Sequence, residues 1–294
     1  MKRDSELSGA SDQAFALLQQ LIPQHWLSRT MHRLARSRRP LVRDAILRTV
    51  LNAYPQIDLG EAAQPDPYAY ESFNAFFTRA LRAGARPVVE APDTAACPVD
   101  GTVSQLGRIE SGTLLQAKGM RYTAAALLAD EAAAARYAGG SFACLYLAPY
   151  NYHRIHMPLA GRLTATRYVP GDLFSVNAAT ARTVADLFAR NERVVCEFDT
   201  ALGPLALVLV GALFVGSIET VHAGEINPPP ARRGAVRNIE AGLGREFARG
   251  EELGRFNMGS TVVALFGRPA SFDARLRPGT AVRLGEALAR FDAA

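Results

Sequence analysis

Lysine is nearly missing from this chain of 294 residues: of 33 basic residues, only Lys2 and Lys118 are lysines. Few positions could therefore serve a lysine-based covalent mechanism. Cysteine is equally sparse. Cys97, Cys144 and Cys196 are odd in number, scattered, and form no C-x-x-C pair, which argues against a disulfide framework or a zinc knuckle and for a reducing compartment. Long apolar runs are missing too. The longest, LALVLVGALFV from Leu205 to Val215, falls short of the roughly 20 residues that a membrane-spanning helix needs. Gly203-Pro204 precede it and Gly211 interrupts it, so a buried strand, or two strands with a bend, is expected. The opening MKRDSELSGASDQ has no apolar core of the kind a signal peptide carries.

What remains is an ordinary globular composition, 49% hydrophobic and 21% charged, with a modest net charge of +5. The length suits one large domain or two small ones. The first 60 residues carry helical patterns. Phe15, Leu17, Leu18 and Leu21 precede Pro23. Trp26, Leu27, Met31 and Leu34 follow it at spacings of three to four, and a further stripe after Pro40 runs to Val50 and Leu51. Between Ser28 and Val50 stand Arg29, Arg33, Arg36, Arg38, Arg39, Arg43 and Arg48 against a single acid, Asp44. Apolar stripes backed by arginine fit a helix lying in a membrane surface. They also fit a helix packed on a core with a solvated basic face. Nucleic acid is not expected, because no recognition motif is present and acids are spread through the rest of the chain.

A helix is expected over Ser72–Leu81, capped by Ser72. From about Pro98 the texture becomes short strands and Gly/Pro turns. The expected strands are Gly101–Leu106, Phe142–Leu147, Arg162–Tyr168, Val194–Phe198, Leu205–Val210 and Thr261–Phe266. One Ala-rich helix from Thr123 to Gly139-Gly140 interrupts them. The stretch Ile226–Glu251, rich in Pro, Gly and Arg, is expected to be a long loop. The fold class is α+β: a basic helical region, 1–65, then a β-rich core, 66–294.

Three segments could carry chemistry. In FNMGSTVV, Gly259 could simply end a loop while Ser260 and Thr261 start a strand. In APYNYHRIHMPLAG, His153 and His156 form an H-x-x-H, a possible metal half-site, but H-E-x-x-H is absent and no cysteine is near. In CPVDGTVSQLG, Asp100-Gly101 is a turn signal, and an Asp there usually bonds its own backbone. An aspartate, a histidine and a serine on separate segments also suit an activated hydroxyl, the histidine taking the proton and the aspartate orienting the histidine. G-x-S-x-G is missing around Ser260, which argues against an α/β-hydrolase.

Several longer motifs occur in one order: FNAFFTRALRAGARPV, PVDGTVSQLG, QAKGMRYT, YNYHRIHMPLAG, YVPGDLFSVN, FARNERVV, VGALFVGSIETV and GEELGRFNMGSTVV. Together they resemble the bacterial, membrane-associated, pyruvoyl-dependent phosphatidylserine decarboxylases. The departures are Met258 where the family motif has Leu, Met120 where histidine is frequent, and Asn151 where aspartate is common. The resemblance implies self-cleavage between Gly259 and Ser260 into a long chain, 1–259, and a short chain, 260–294. It implies Ser260 as nucleophile and source of a covalent pyruvoyl cofactor, with no metal. His156 would be the general base, Asp100 its orienting partner, and His153 a group acting on the substrate carboxylate or carbanion. The implied reaction is decarboxylation of phosphatidylserine to phosphatidylethanolamine, through a Schiff base between the substrate amine and the pyruvoyl ketone. Implied with it are an anionic membrane surface as partner, a peripheral location on the cytoplasmic face of the cell membrane, and a homodimer. The rival readings are a serine hydrolase using Ser260, His156 and Asp100, and a catalytically silent membrane-binding module.

Overall fold

The structure is a computed structural model describing residues 19, 24–213, 217–226 and 235–292. Its centre is an antiparallel sheet of nine strands. The long ones are β1 (Gly101–Arg108), β2 (Ser141–Tyr146), β4 (Gly161–Val169), β5 (Arg193–Thr200), β6 (Gly203–Val210) and β9 (Thr261–Phe266). They lie in the order β4-β5-β6-β9-β2-β1. A smaller sheet holds β3 (Arg154–His156), β7 (Ile218–Thr220) and β8 (Glu252–Phe256), with β8 between the other two.

The large sheet is covered on both sides, which explains its unbroken apolar strands. In β6, Leu205, Leu207 and Leu209 enter one core with Ile155, Ile218 and Phe256 of the small sheet. Ala206, Val208 and Val210 enter the other, with Leu127, Leu128, Leu187 and Phe188. Burial on both faces removes the polar alternation of a half-exposed strand. The expected strands are all present, within two residues at each end. The fold is α+β, as expected.

Three local expectations are corrected. The helix expected over Ser72–Leu81 is only Phe73–Phe77, although Ser72 does cap it, accepting from the Ala75 amide at 3.1 Å. Its continuation is extended instead, because Ala80 accepts from the Ala63 amide and the Arg82 amide donates to Glu61. The single Ala-rich helix is two, Ala124–Leu128 and Glu131–Ala135. Ala129 turns left-handed at φ 53, and Asp130 caps the second helix through the Ala133 amide. The described part of the expected loop Ile226–Glu251 is a strap along the sheet edge, where Arg237–Asn238 and Glu246–Phe247 pair with β4. Residues 227–234 lie outside the described residues, as do Phe15, Leu17, Leu18 and Leu21.

Two helices precede the core, α1 (Gln24–Ala35) and α2 (Pro40–Ala53). Of the two readings of the apolar stripe, packing on the core is not what α1 shows. Its buried residues are Gln24, Ser28 and Ala35, while Trp26 is 62% and Leu34 43% exposed. The helix docks through polar bonds: Gln24 accepts from the Leu173 amide at 2.8 Å, and Gln19 from the Ser175 amide at 2.7 Å. Satisfying those buried amides fixes which face turns inward. Among the described residues, no helix is long and apolar enough to cross a membrane.

Candidate active site

FNMGST forms the crossover between the two sheets. Strand β8 ends at Phe256 in the small sheet, and β9 begins at Thr261 in the large one. Both ends are pinned. The Phe256 amide donates to the His153 carbonyl (3.0 Å), and Asn257 is held by the Ser217 backbone, the Ser217 hydroxyl and the Asn74 amide group. On the far side the Leu147 amide donates to the Ser260 carbonyl at 2.8 Å. Met258 and Gly259 span the gap. Ser260 is fully buried, and among the described residues its Oγ has one weak contact, to the Met258 carbonyl at 3.4 Å.

Gly259 has no left-handed φ, so conformational freedom is not what it supplies. Space is. A β-carbon there would lie 3.3 Å from the Leu147 carbonyl and 3.5 Å from His153 Nε2. His153 is fully buried, and its ring lies on Phe77 with centroids 4.0 Å apart. Its Nδ1 is 2.8 Å from the Asn151 carbonyl, which can only accept, so Nδ1 carries the proton. That leaves Nε2 a lone pair, buried and without a hydrogen-bond partner among the described residues. Burial pushes the imidazole pKa down to about 3, opposed by the Asn151 carbonyl, while the Arg79 charge adds to the lowering. His153 is thus a neutral base whose lone pair lies beside Gly259. Thr261 Oγ1 is a second buried polar atom without a partner there.

His156 lies at the end of β3 and faces other groups. Its Nδ1 is 2.8 Å from the Gly250 carbonyl, and its Nε2 is 3.1 Å from the Tyr152 hydroxyl. Burial lowers its pKa, against the raising effect of the Gly250 carbonyl. Asp100 is also engaged elsewhere. Arg86 donates to both its oxygens at 2.6–3.2 Å, and the Leu284 amide donates to Oδ1 at 2.8 Å. Arg86 continues to Glu61 at 2.6 Å. Asp100 and His156 are neighbours through the backbone, the His156 amide donating to the Pro98 carbonyl at 2.9 Å. No side-chain hydrogen bond links Asp100 to His156 or His156 to Ser260 among the described residues.

The fold therefore brings His153 to the Gly259–Ser260 segment and puts His156 and Asp100 in an adjoining polar layer. Sequence reading overlooked Phe77, the platform under His153, and Arg86, the partner of Asp100. Both stand inside FNAFFTRALRAGARPV, but no spacing rule connects position 77 with 153 or 86 with 100. The three cysteines are buried and free, and burial pushes each thiol up to about 12. No cluster of three His, Cys, Asp or Glu able to hold a metal occurs among the described residues.

An apolar cavity of about 290 Å³ opens beside Gly259. Val50 of α2, Tyr54 just past its end, Phe73, Phe77, Tyr146 and Met258 line it. The C-terminal end of α2 thus contributes to one wall of the candidate site. Trp26, Leu34 and Leu41, the last 86% exposed, are on α1 and α2.

The sequence profile described as phosphatidylserine decarboxylase matches residues 73–290, and a second, described as PSD, matches residues 14–55. Proteins named phosphatidylserine decarboxylase proenzyme are similar along nearly the whole chain. The one from Methylococcus capsulatus is 50% identical over 277 residues, covering 93% of this chain and 95% of that protein. The one from Pseudomonas aeruginosa is 50% identical over 281 residues, with 95% and 97% covered. The one from Chromobacterium violaceum is 52% identical over 283 residues, with 95% and 99% covered.

Proposed function

Since the chain belongs to the phosphatidylserine decarboxylase family, we propose that it removes the carboxyl group of phosphatidylserine with a pyruvoyl group made from its own Ser260. It is a carboxy-lyase of phospholipid biosynthesis, produced as a proenzyme that processes itself. The observation that carries the site assignment is the unpartnered, neutral Nε2 of His153 beside Gly259.

In maturation, Ser260 Oγ gives up its proton and attacks the Gly259 carbonyl carbon. The Gly259–Ser260 C–N bond breaks, and an ester to Ser260 Oγ replaces it. Loss of the Ser260 Cα proton then expels Gly259 as a carboxylate and leaves a dehydroalanine. Addition of water and loss of ammonia give the pyruvoyl group at the head of the 260–294 chain. Gly259 leaves room for the attack, because any side chain would press on the Leu147 carbonyl. His153 has a free lone pair beside Gly259 among the described residues, and we assign it the proton transfers there. The sequence-based assignment of His156 as base, oriented by Asp100, is kept as a second reading. The His156 backbone adjoins the Asp100 turn, and Tyr152 holds its ring.

The site fits the group: residue 260 is fully buried at the head of a buried strand, with an apolar cavity beside Gly259 and two polar atoms without partners close by. When formed, the pyruvoyl carbonyl supplies the electron sink for loss of CO₂. The chain's own residues do the rest. Phe77 and Met258 exclude water from the reacting end, and burial keeps charge on a carboxylate poorly solvated there. His153 Nε2, which enters as a bare lone pair, can take a proton from the substrate's ammonium group and pass that proton to the substrate carbon after CO₂ leaves.

We further propose that the basic N-terminal region, 1–65, attaches through α1 and α2 to an anionic membrane surface at its cytoplasmic face, with residues 66–294 as the catalytic core. The exposed Trp26, Leu34 and Leu41 beside exposed Arg33, Arg38, Arg39 and Arg48 support this. A homodimer belongs to the same proposal, and light scattering tests it. The decisive experiment on function is intact mass together with CO₂ release from phosphatidylserine. Two chains, 1–259 and 260–294, with a ketone at residue 260 and decarboxylase activity are expected. One unmodified chain that hydrolyses an ester would favour the serine hydrolase instead.

A further inference from the structure

We propose that Asn257 is a positioning residue for self-cleavage: its side chain ties the Gly259–Ser260 segment to the same short helix that holds His153. The inference deepens the reading above and rests on it, since it takes the chain to be cut before residue 260.

The backbone around that bond has a gap in its support. Strand β8 ends at Phe256 and β9 begins at Thr261. Downstream, the Leu147 amide holds the Ser260 carbonyl, and Thr261 is paired with Val210 on one side and Tyr146 on the other. In between, the Met258 and Gly259 amides donate to no carbonyl among the described residues, and the Gly259 carbonyl accepts from no amide. The upstream anchor is therefore residue 257.

Asn257 is anchored three times. Ile218 pairs with Phe256, which sets Ser217 opposite Asn257 one step beyond the ladder. The Asn257 amide donates to the Ser217 carbonyl at 3.0 Å, and Nδ2 donates to the Ser217 hydroxyl at 2.8 Å. Oδ1 accepts from Asn74 Nδ2 at 3.0 Å. Asn257 and Ser217 are both buried, so water does not stand in for these bonds when they are lost.

A buried amide bonded at both ends is often plain structure. Where its bonds lead sets this one apart. Asn74 and Phe77 lie one turn apart on the short helix Phe73–Phe77. Phe77 carries the His153 ring, with centroids 4.0 Å apart, and Asn74 carries the crossover. Ser72 caps that helix, and the Thr78 hydroxyl closes it on the Asn74 carbonyl at 2.9 Å. Base and bond are thus referred to one fixed element. A misplacement of about 1 Å in such an alignment can cost on the order of a hundredfold in rate.

Asn257→Leu and Asn257→Asp in the full chain are the test, with cleavage followed by intact mass. Leucine keeps the volume and loses both side-chain bonds. Aspartate keeps both, because one oxygen accepts from Asn74 and the other from the Ser217 hydroxyl. Asn257→Leu should cut roughly tenfold to a hundredfold more slowly, while Asn257→Asp stays within about threefold of the parent. Asn74→Ala, at a half-buried position, should also slow cleavage. Combined with Asn257→Leu it should add nothing further, because both remove one shared bond. Parent-rate cleavage in Asn257→Leu, or in Asn74→Ala should Asn257→Leu not fold, would overturn the inference. So would an Asn257→Asp chain as slow as Asn257→Leu. A second measurement needs no cleavage. On the uncut Ser260→Ala background, Asn257→Leu should speed hydrogen exchange at the amides of residues 256 and 257 at least about tenfold. Unchanged exchange there would overturn the positioning role, whereas a parent chain that never cuts itself would sink the proposed function and leave this measurement to decide on Asn257.

Discussion

His153 Nε2 lies 3.5 Å from where a β-carbon of Gly259 would stand, so the imidazole faces the space that the absent side chain leaves beside the residue to be cut. The ring is fixed by Phe77 beneath it and the Asn151 carbonyl behind it. A base held this way needs no reorganisation to act.

Removing the nucleophile comes first. Ser260→Ala should remain a single uncut chain without decarboxylase activity, because no hydroxyl is left to attack Gly259. Gly259→Val should also stay uncut, since its β-branched side chain meets the Leu147 carbonyl and His153. Denaturing gels and intact mass decide both. Appearance of a 260–294 fragment from Ser260→Ala would move the cleavage site.

The two histidines should differ. His153→Ala should slow self-cleavage by roughly 10²–10⁴-fold, the usual worth of one acid–base group. His156→Phe, which keeps ring volume while losing the bonds to Tyr152 and Gly250, should cut more slowly than the parent but faster than His153→Ala. A time course of chain cleavage measures this. Rapid cleavage in His153→Ala with none in His156→Phe would return the base to His156 and Asp100.

Acid should destabilise the fold through its buried histidines. Burial holds His153 to about 3 and His222 to about 4, while an unfolded histidine titrates near 6.5. Below about 6.5 the unfolded chain takes up protons that the folded chain refuses. This contribution to stability is therefore complete above about pH 6.5 and is lost as pH falls toward 4 and 3. Thermal midpoints between pH 7 and 4.5 should fall, and His153→Gln should show a shallower fall. Equal slopes would mean that His153 already titrates normally when folded.

Arg193 should prove a structural cation. It is buried and donates to the carbonyls of Ala126, Leu127, Ala189 and Asn191 at 2.6–2.9 Å. These are orphan carbonyls at the ends of two short helices. Arg193→Met should cost about 3 kcal/mol or more, since charge-assisted bonds contribute roughly 1.5–3 kcal/mol each. Urea unfolding tests this. A loss under about 1 kcal/mol would mean that water replaces the guanidinium.

Membrane attachment should depend on residues that the fold does not use. Trp26→Ser with Leu34→Ser removes two exposed apolar side chains from α1, so stability should hardly change. Sedimentation with anionic vesicles should drop several-fold, because burying such side chains in an interface contributes roughly 1.5–3 kcal/mol each. Undiminished sedimentation would place the attachment elsewhere.

The six long strands of the large sheet were legible in the amino-acid sequence, because β-branched runs bounded by Gly and Pro have few other solutions, while its short edge strands were not. The sequence also determined the caps at Ser72 and Thr123, since capping is local chemistry. Family membership was legible in motifs such as PVDGTVSQLG and FNMGSTVV, which keep their order along the chain. What it could not determine were the relations made by packing. That α1 turns Gln24 inward depends on the amide of Leu173, far away in sequence, whose need for a partner outweighs the apolar stripe. That Gly259 is needed for space and not for φ depends on where Leu147 and His153 come to rest. Spacing told that His153 and His156 are three apart. The sheet crossover decides which of them meets the peptide: Phe256 is bonded to the His153 carbonyl, so the chain that continues to Gly259 runs past the first histidine, while the second faces Tyr152 and Gly250.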